Sequence, residues 1–471
     1  MNGKLKNLFK DTLIFAIGSL GSKFILFFMV PLYTNYMSKA EYGISEYVFT
    51  ISNLLIPILS VSIWEGVIRM GLKTGTKREN VLRNGLSVFA ASSIVIMLIT
   101  PLWRFYDAIG PWRMYLSAYA IVYILNQIEL NYLKVQEKNK LYSLASIFQT
   151  AVLAGLNVFL LVRLRMGIEG YLLSNVIAVL SADLLIFFLG KLGKDLKGGS
   201  FDMDLLKQML AYSGPLIVNN ISWWIIHSSD KIMIQTMRSS AELGLYTAAS
   251  KIPSLINVFV TIFTQAWGVS SIKEMESSND NKYYSEVFEL YSVFLVGCMI
   301  ALTTVIKPFM HVYVGKEFVE SWIFVPLLLL AAVMQAFSSY FGALLGALQK
   351  SVKTMTTTLV GGVVNIILNY VLISRIGIWG AIIGTLTAFV VVTLQRRVIV
   401  AKYVSLSNSW MKFTLNIFIC LAQAVLVSLG IHIVVSSIAV ILAFAAINYS
   451  KIKDILCQLI EMVSGSKRVK D

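Results

Sequence analysis

Long apolar segments alternate with short polar ones along almost the whole chain. The apolar segments are about 20 residues long, the length an α-helix needs to cross a bilayer, and they lack the two-residue alternation of membrane barrel strands. The pattern therefore predicts an all-α polytopic membrane protein with about fourteen transmembrane helices. They lie near residues 12–34, 45–68, 84–103, 112–133, 142–162, 168–190, 211–235, 243–267, 285–306, 321–345, 354–374, 378–400, 412–429 and 432–449.

The loops between these segments indicate an orientation. With a cytoplasmic N-terminus, 28 Lys and Arg lie in the tails or in or beside the cytoplasmic loops, and nine lie in or beside the outer loops. Cytoplasmic loops carry such an excess of basic residues. We therefore predict that both termini are cytoplasmic and that the number of helices is even. The first segment is too long for a signal-peptide core, so we expect it to be a retained helix.

Composition agrees with this class and argues against others. Of the 471 residues, 57% are hydrophobic and 14% charged, whereas a soluble domain has about 25% charged residues. The net charge of +15 comes from short loops, so we predict no nucleic-acid partner. The sequence has no G-x-x-x-x-G-K-[ST] motif, no H-E-x-x-H motif and no C-x-x-C pair. We predict no metal, no cofactor and no enzymatic activity.

Two halves of the chain match at a spacing of about 200 to 213 residues. Residues 40–44 (A-E-Y-G-I) resemble 241–245 (A-E-L-G-L). Further matches, in the same order, are 136–140 with 349–353, Leu156, Asn157 and Arg163 with Leu368, Asn369 and Arg375, and 167–170 with 377–380. Six helices per half give both halves the same orientation. We predict pseudo-symmetric six-helix lobes at 1–208 and 209–402, with two added helices and a tail at 403–471.

This arrangement resembles a known transporter family. The six-plus-six helices, the A-E-x-G turn after helices 1 and 7, and the Asp230–Tyr246 stretch are similar to the Wzx-type polysaccharide flippases, relatives of the MATE drug exporters and the lipid II flippases. The resemblance covers nearly the whole chain. It implies a V-shaped fold with a central cavity, and gradient-coupled alternating access that moves undecaprenyl-pyrophosphate-linked oligosaccharide repeat units for surface polysaccharide biosynthesis.

The resemblance also implies where the protein acts and with what. The location would be the bacterial cytoplasmic (inner) membrane. The expected partners are the lipid-linked oligosaccharide substrate, membrane lipids, a polysaccharide polymerase and chain-length proteins. The family's lumen is generally cationic, but its charged positions vary, so the residues below come from their places in the predicted helices.

Four basic residues are candidates for binding an anionic head group. Lys23 lies halfway along the first helix, where facing lipid would cost roughly 2.5–3.5 kcal/mol, so we expect it to border a water-filled cavity. The alternative is a pair with a carboxylate on another helix. Lys231 and Lys251 would attract the anion further outward, although Lys251 could instead snorkel to the interface. For Arg69 the alternative is an i,i+4 ion pair with Glu65.

Acidic and histidine residues inside the predicted helices are candidates for ion coupling. Asp183 and Glu129 could titrate during transport or hold two helices together. A contact between His227 and Asp230 could carry a proton or could fix helix packing. The fifth candidate is Glu65.

Two prolines are hinge candidates. Pro57 and Pro253 fall inside the second predicted helix of each half, and proline removes a helical hydrogen bond. The two positions are not equivalent in register.

Other functions stay open at this point. A MATE-like multidrug or cation antiporter would need acidic residues in its lumen, whereas the clearest midplane charge here is basic. A membrane enzyme that modifies the glycan and a scaffold for assembly enzymes are alternatives of another class.

Overall fold

The computed structural model describes residues 21, 23–277, 281–405, 407–454 and 457, and every regular element in them is helical. Among these residues, ten helices are long and apolar enough to cross a membrane. The predicted all-α membrane class is confirmed. The arrangement of twelve helices in two lobes plus two more stays a prediction, and the first part of the predicted helix 12–34 lies outside the described residues.

Most of the helices overlap the predicted segments. Residues 23–36 form α1. The next elements are α2 (Lys39–Leu59), α3 (Ile63–Gly71), α4 (Arg78–Ile99), α5 (Arg113–Val135), α6 (Asn139–Asn157), α7 (Gly167–Leu189), α8 (Leu192–Gly198) and α9 (Met203–Met237). They are followed by α10 (Ser240–Ser250), α11 (Pro253–Ser277), α12 (Asn281–Tyr313), α13 (Val325–Ala347), α14 (Ser351–Ile376), α15 (Ile378–Val400), α16 (Ser407–Ser428) and α17 (Ile433–Ile447). Short 3₁₀ segments at Thr100–Phe105, Gly110–Trp112 and Lys316–Phe324 and a π-helical turn at Val158–Arg163 complete them.

The predicted second helix of each half starts earlier in the chain than expected. Ser38 and Glu41 form a capping box that starts α2. At the start of α10, the Ser239 Oγ accepts a hydrogen bond from the backbone N–H of Glu242 at 3.2 Å. Each of these helices therefore begins at an S-x-A-E-x-G sequence, in which the serine satisfies a free N–H group of the first turn.

Both of these helices are interrupted within the segment predicted to span the membrane. After Pro57, α2 ends, and Val61 and Ser62 take left-handed φ angles of 52° and 47° before α3 begins. A β-branched residue such as valine rarely adopts this conformation, so the break is strained. In the second half the break comes at residues 251–252, and Pro253 opens α11, where its missing N–H costs no helical hydrogen bond.

The predicted internal repeat recurs in the backbone. Glu137 and Gln349 have φ angles of 59° and 58° at the ends of α5 and α13. The next residue in each turn, Lys138 or Lys350, donates its N–H to the carbonyl five residues earlier, at 2.9 and 2.8 Å. The backbone thus aligns Glu137 with Gln349. The comparison of amino-acid sequences had instead aligned Gln136 with Gln349, one residue earlier. The left-handed turn, rather than the glutamine, is the shared feature.

The chain divides into two compact units. The first takes in Met1–Thr247 and Val314–Phe318, and the second Ala248–Tyr313 and Val319–Asp471. The core of the first unit is aliphatic and includes Ile63, Leu82 and Ile128. The core of the second is rich in aromatic rings, such as Trp267 stacked on Tyr340 with centroids 4.9 Å apart. The division after Thr247 differs from the predicted boundary at 208, and the predicted three-part organisation stays a prediction.

Candidate functional site

The first unit has a basic cleft where the end of α3 meets α9. Arg69, Lys73 and Tyr212 line it together with Ile68 and Leu72, and its volume is about 270 Å³. Arg69 and Lys73 are both exposed. The count of basic residues predicts that this end of the helices is cytoplasmic. An anion in the cleft would meet a planar guanidinium and a compact ammonium, the two side chains best suited to phosphate.

Close packing of α3 on α9 builds this cleft. A Cβ atom on Gly66 would lie 2.8 Å from the Ser213 Oγ, so only glycine allows the two helices to approach this far. Asn220 donates from Nδ2 to the Ser62 Oγ at 3.0 Å and ties α9 to the break before α3. Arg69 follows Gly66 by about one turn, and it therefore lies on the side of α3 that faces α9.

The two cations of the cleft are not neutralised by carboxylates in the described part of the chain. The Arg69 Cζ lies 5.9 Å from the centroid of the Tyr212 ring, and Lys73 donates to the Gln208 Oε1 at 3.3 Å. The alternative for Arg69, an i,i+4 ion pair with Glu65, does not form. Glu65 interacts electrostatically with Lys134 instead. This leaves the positive charge of the cleft available to an anion.

Lys231 pairs with an acidic residue of the same unit. Its Nζ lies 3.1 Å from the Glu46 Oε2, and Tyr171 donates to the Glu46 Oε1 at 3.3 Å. Glu46 is buried, so its charge requires these partners. The role of Lys231 in binding an anionic substrate stays a prediction.

We expect Lys231→Gln to lower the stability of the protein. The substitution leaves the Glu46 carboxylate without its cation, at a cost of about 2 kcal/mol, below the ~3–5 kcal/mol of a fully buried pair. The thermal unfolding midpoint in detergent measures this, and the double variant Lys231→Gln with Glu46→Gln should recover part of the loss. A Lys231→Gln protein that is as stable as wild type but binds substrate poorly would instead support the head-group role.

Asp230 is buried beside Tyr246 in the same unit. The Tyr246 hydroxyl donates a hydrogen bond to Asp230, and the backbone N–H of Lys231 donates to it at 2.8 Å. This joins α9 to α10 across the Asp230–Tyr246 stretch that carried the family resemblance. His227 is exposed on α9, and its predicted contact with Asp230 stays a prediction.

The structure brings Glu129 of α5 and Asp183 of α7 together. Both are buried, and their carboxylates interact electrostatically. Asn126 donates to the Asp183 Oδ1 at 2.7 Å. The other oxygen of Asp183, Oδ2, and the Glu129 Oε2 are buried without a hydrogen-bond partner in the described residues. Buried carboxylate oxygens are costly unless they are protonated, paired with a cation or hydrogen-bonded.

The remaining candidates lie elsewhere. Lys23 is exposed on α1. Lys251 lies at the break between α10 and α11, two residues before Pro253. Pro57 lies inside α2, near its end. Their binding and hinge roles stay predictions.

The two repeated A-E-x-G motifs contact each other. A Cβ on Gly43 would collide with the backbone carbonyl of Ser240, and a Cβ on Gly244 with that of Lys39. Lys39 corresponds to Ser240 in the repeat as Gly43 corresponds to Gly244, so the contact is reciprocal. Small residues allow membrane helices to approach this closely. The repeat therefore places two equivalent helix starts against each other.

Comparison with known proteins identifies the family of this chain. Residues 8–268 match the model of a family described as polysaccharide biosynthesis protein. The chain belongs to this family. The predicted resemblance to Wzx-type flippases is thereby confirmed at the level of the family.

Two relatives in this comparison come from Haemophilus influenzae. The Lsg locus protein 1 is 24% identical over 268 residues, which cover 55% of this chain and 64% of that protein. An uncharacterized membrane protein is 22% identical over 321 residues, which cover 66% of this chain and 77% of that protein. The match thus spans slightly less than two thirds of the length of the first relative.

Solved structures show the same fold. The lipid II flippase MurJ in an inward closed conformation has a TM-score of 0.70 at 14% identity, covering 93% of this chain and 99% of MurJ. An inward-facing multidrug resistance MATE transporter has a TM-score of 0.60 at 17% identity. The match covers 82% of this chain and 94% of that transporter. At these identities the likeness establishes the fold alone.

Several residues of the site were not predicted from the sequence. Lys73 lies two residues beyond the end of α3, and its place in the basic segment after the predicted second helix could have indicated it. Glu46 is an acidic residue inside a membrane segment, which by itself suggests a buried partner. No pattern in the sequence points to Tyr212, because its place depends on how α3 crosses α9.

Proposed function

We propose that the protein is a flippase that moves undecaprenyl-pyrophosphate-linked oligosaccharide repeat units across the cytoplasmic membrane for surface polysaccharide biosynthesis. The basic cleft of Arg69 and Lys73 is the observation that carries the proposal. Its uncompensated charge suits a pyrophosphate, and it lies at the end predicted to be cytoplasmic, where such a substrate is made. The family and the fold shared with a lipid II flippase support the same class of function.

The proposed cycle has three parts. The pyrophosphate first binds at the cleft, and Lys23 then receives it deeper in the membrane. The glycan passes between two pseudo-symmetric lobes that open alternately to either side, while the undecaprenyl tail stays in lipid. An ion gradient drives the cycle through buried carboxylates. Polymerase and chain-length proteins would take the product on the outer side.

Purified protein in liposomes tests this function. We expect wild-type protein alone to move a fluorescent lipid-linked oligosaccharide between leaflets, measured by the fraction that an external quencher reaches. Arg69→Gln should raise the half-saturating substrate concentration about tenfold, because losing one charge-assisted contact costs about 1.4 kcal/mol. Lys23→Gln should slow transport at saturating substrate.

Lys77→Gln is the matched control, since Lys77 is exposed in the same predicted loop but does not line the cleft. Equal effects of Lys77→Gln and Arg69→Gln would contradict a specific cleft. Export of cationic drugs without movement of the lipid-linked glycan would support the antiporter alternative. A change in the covalent structure of the glycan would support an enzyme.

A further inference from the structure

The second unit contains a buried arginine, and no carboxylate of the described residues neutralises its charge. The N–H groups of Arg396, on α15, donate to neutral oxygens only. Its Nε donates to the Thr357 Oγ1 at 3.1 Å, and Nη1 donates to the Ser338 carbonyl and Oγ at 2.8 and 3.0 Å. Nη2 donates to the Thr358 Oγ1 at 2.8 Å and the Thr354 carbonyl at 3.4 Å. These hydrogen bonds use the N–H donors of Arg396, but their acceptors are neutral. The guanidinium therefore keeps its full positive charge.

The sequence around Arg396 offers little to balance that charge. From Ser321 to Lys453 the chain contains no Asp or Glu. Glu289 of α12, in the same unit, is already shared by Lys412 and Lys451, with Nζ–O distances of 2.9 and 3.8 Å. Within the described residues, this part of the second unit therefore carries excess positive charge.

A groove lies next to the residues that hold this arginine, although Arg396 itself does not line it. Its volume is about 490 Å³, and Thr357, the partner of the Arg396 Nε, lines it. Lys353 and Thr356 also line it and lie toward the end that the charge count predicts to be cytoplasmic. The groove thus offers the exposed ammonium of Lys353 near a buried guanidinium, whereas the hydroxyls of Thr356 and Thr357 already donate to the Lys353 carbonyl.

The other wall of the groove is apolar. Val360, Leu394 and Val398 line it and are exposed. They belong to α14 and α15, two helices long and apolar enough to cross a membrane. A free phosphate would leave this wall unused, whereas a molecule with a phosphate and an acyl chain would cover both parts.

We propose that this groove binds an anionic phospholipid of the cytoplasmic leaflet. The phosphate lies at the Lys353 ammonium, with the charge of Arg396 behind Thr357, and an acyl chain lies along Val360, Leu394 and Val398. Anionic lipids of this leaflet are attracted to basic residues near the membrane surface. The groove shares no residue with the cleft of Arg69, and it does not depend on the transported substrate.

Native mass spectrometry of the full-length protein with phosphatidylglycerol and phosphatidylcholine of matched chains tests the proposal. Wild-type protein should retain phosphatidylglycerol at least about tenfold better than phosphatidylcholine, and Lys353→Gln should remove most of this preference. Val360→Trp, which fills the apolar wall and keeps every charge, should also lower retention. Arg375→Gln makes the same charge change at the far end of α14 and should leave the retention of phosphatidylglycerol unchanged.

Three results would overturn the proposal. One is an equal loss of the preference for phosphatidylglycerol in Lys353→Gln and Arg375→Gln. Another is displacement of phosphatidylglycerol by inorganic pyrophosphate, which would make this a site for soluble anions. The third is stronger displacement by undecaprenyl pyrophosphate, which would make it a substrate site. Unchanged thermal unfolding midpoints of the variants establish that they are folded.

Discussion

Gly43→Val and Gly244→Val are each expected to destabilise the protein severely. In both variants the new side chain would overlap a backbone carbonyl, of Ser240 or of Lys39, and backbone within a helix cannot move aside cheaply. Overpacking of this kind costs ~1–3 kcal/mol and occasionally more. We expect a lower yield of monodisperse protein and a lower thermal unfolding midpoint.

The double variant and a matched control make this test specific. Because both glycines serve one contact, Gly43→Val with Gly244→Val should be less harmful than the two single effects added together. Gly155→Val is the control, since a Cβ on Gly155 of α6 would meet no atom within 4 Å. If Gly43→Val were as stable as Gly155→Val, the reciprocal contact would not hold these helices together.

Asp183→Asn and Glu129→Gln are expected to uncouple transport from an ion gradient. Each carboxylate has one buried oxygen without a partner in the described residues, and two negative charges that repel each other within a membrane are costly. The pair should therefore hold a proton or a cation, which a neutral amide cannot exchange. In each variant, the transport rate with an imposed ion gradient should fall to about the rate without an ion gradient. Movement of the substrate down its own concentration gradient should continue.

Liposomes with imposed proton or sodium gradients provide the measurement. Asp107→Asn is the control, because Asp107 is an exposed acidic residue in a short connection between helices. Full stimulation by the gradient in both Asp183→Asn and Glu129→Gln would assign coupling to another group. Asp230, His227 and Glu65 would then be the next candidates.

The candidate site could be predicted only in part. Arg69 and Lys23 stand out in the sequence because a charge within or beside an apolar segment is costly unless it has a function or a partner. Lys231 stands out for the same reason, yet the sequence did not indicate Glu46 as its partner. The two residues are 185 positions apart, and only the packing of α2 against α9 brings them to 3.1 Å.

Segment length and hydrophobicity were sufficient to predict the helical membrane class and the approximate positions of most helices. These properties are local, because each segment must satisfy its own backbone hydrogen bonds in lipid. The contact between Gly43 and Gly244, the pairing of Glu129 with Asp183 and the surroundings of Arg396 were decided by the tertiary structure alone. They depend on which faces of distant helices meet, and side-chain packing between helices selects those faces.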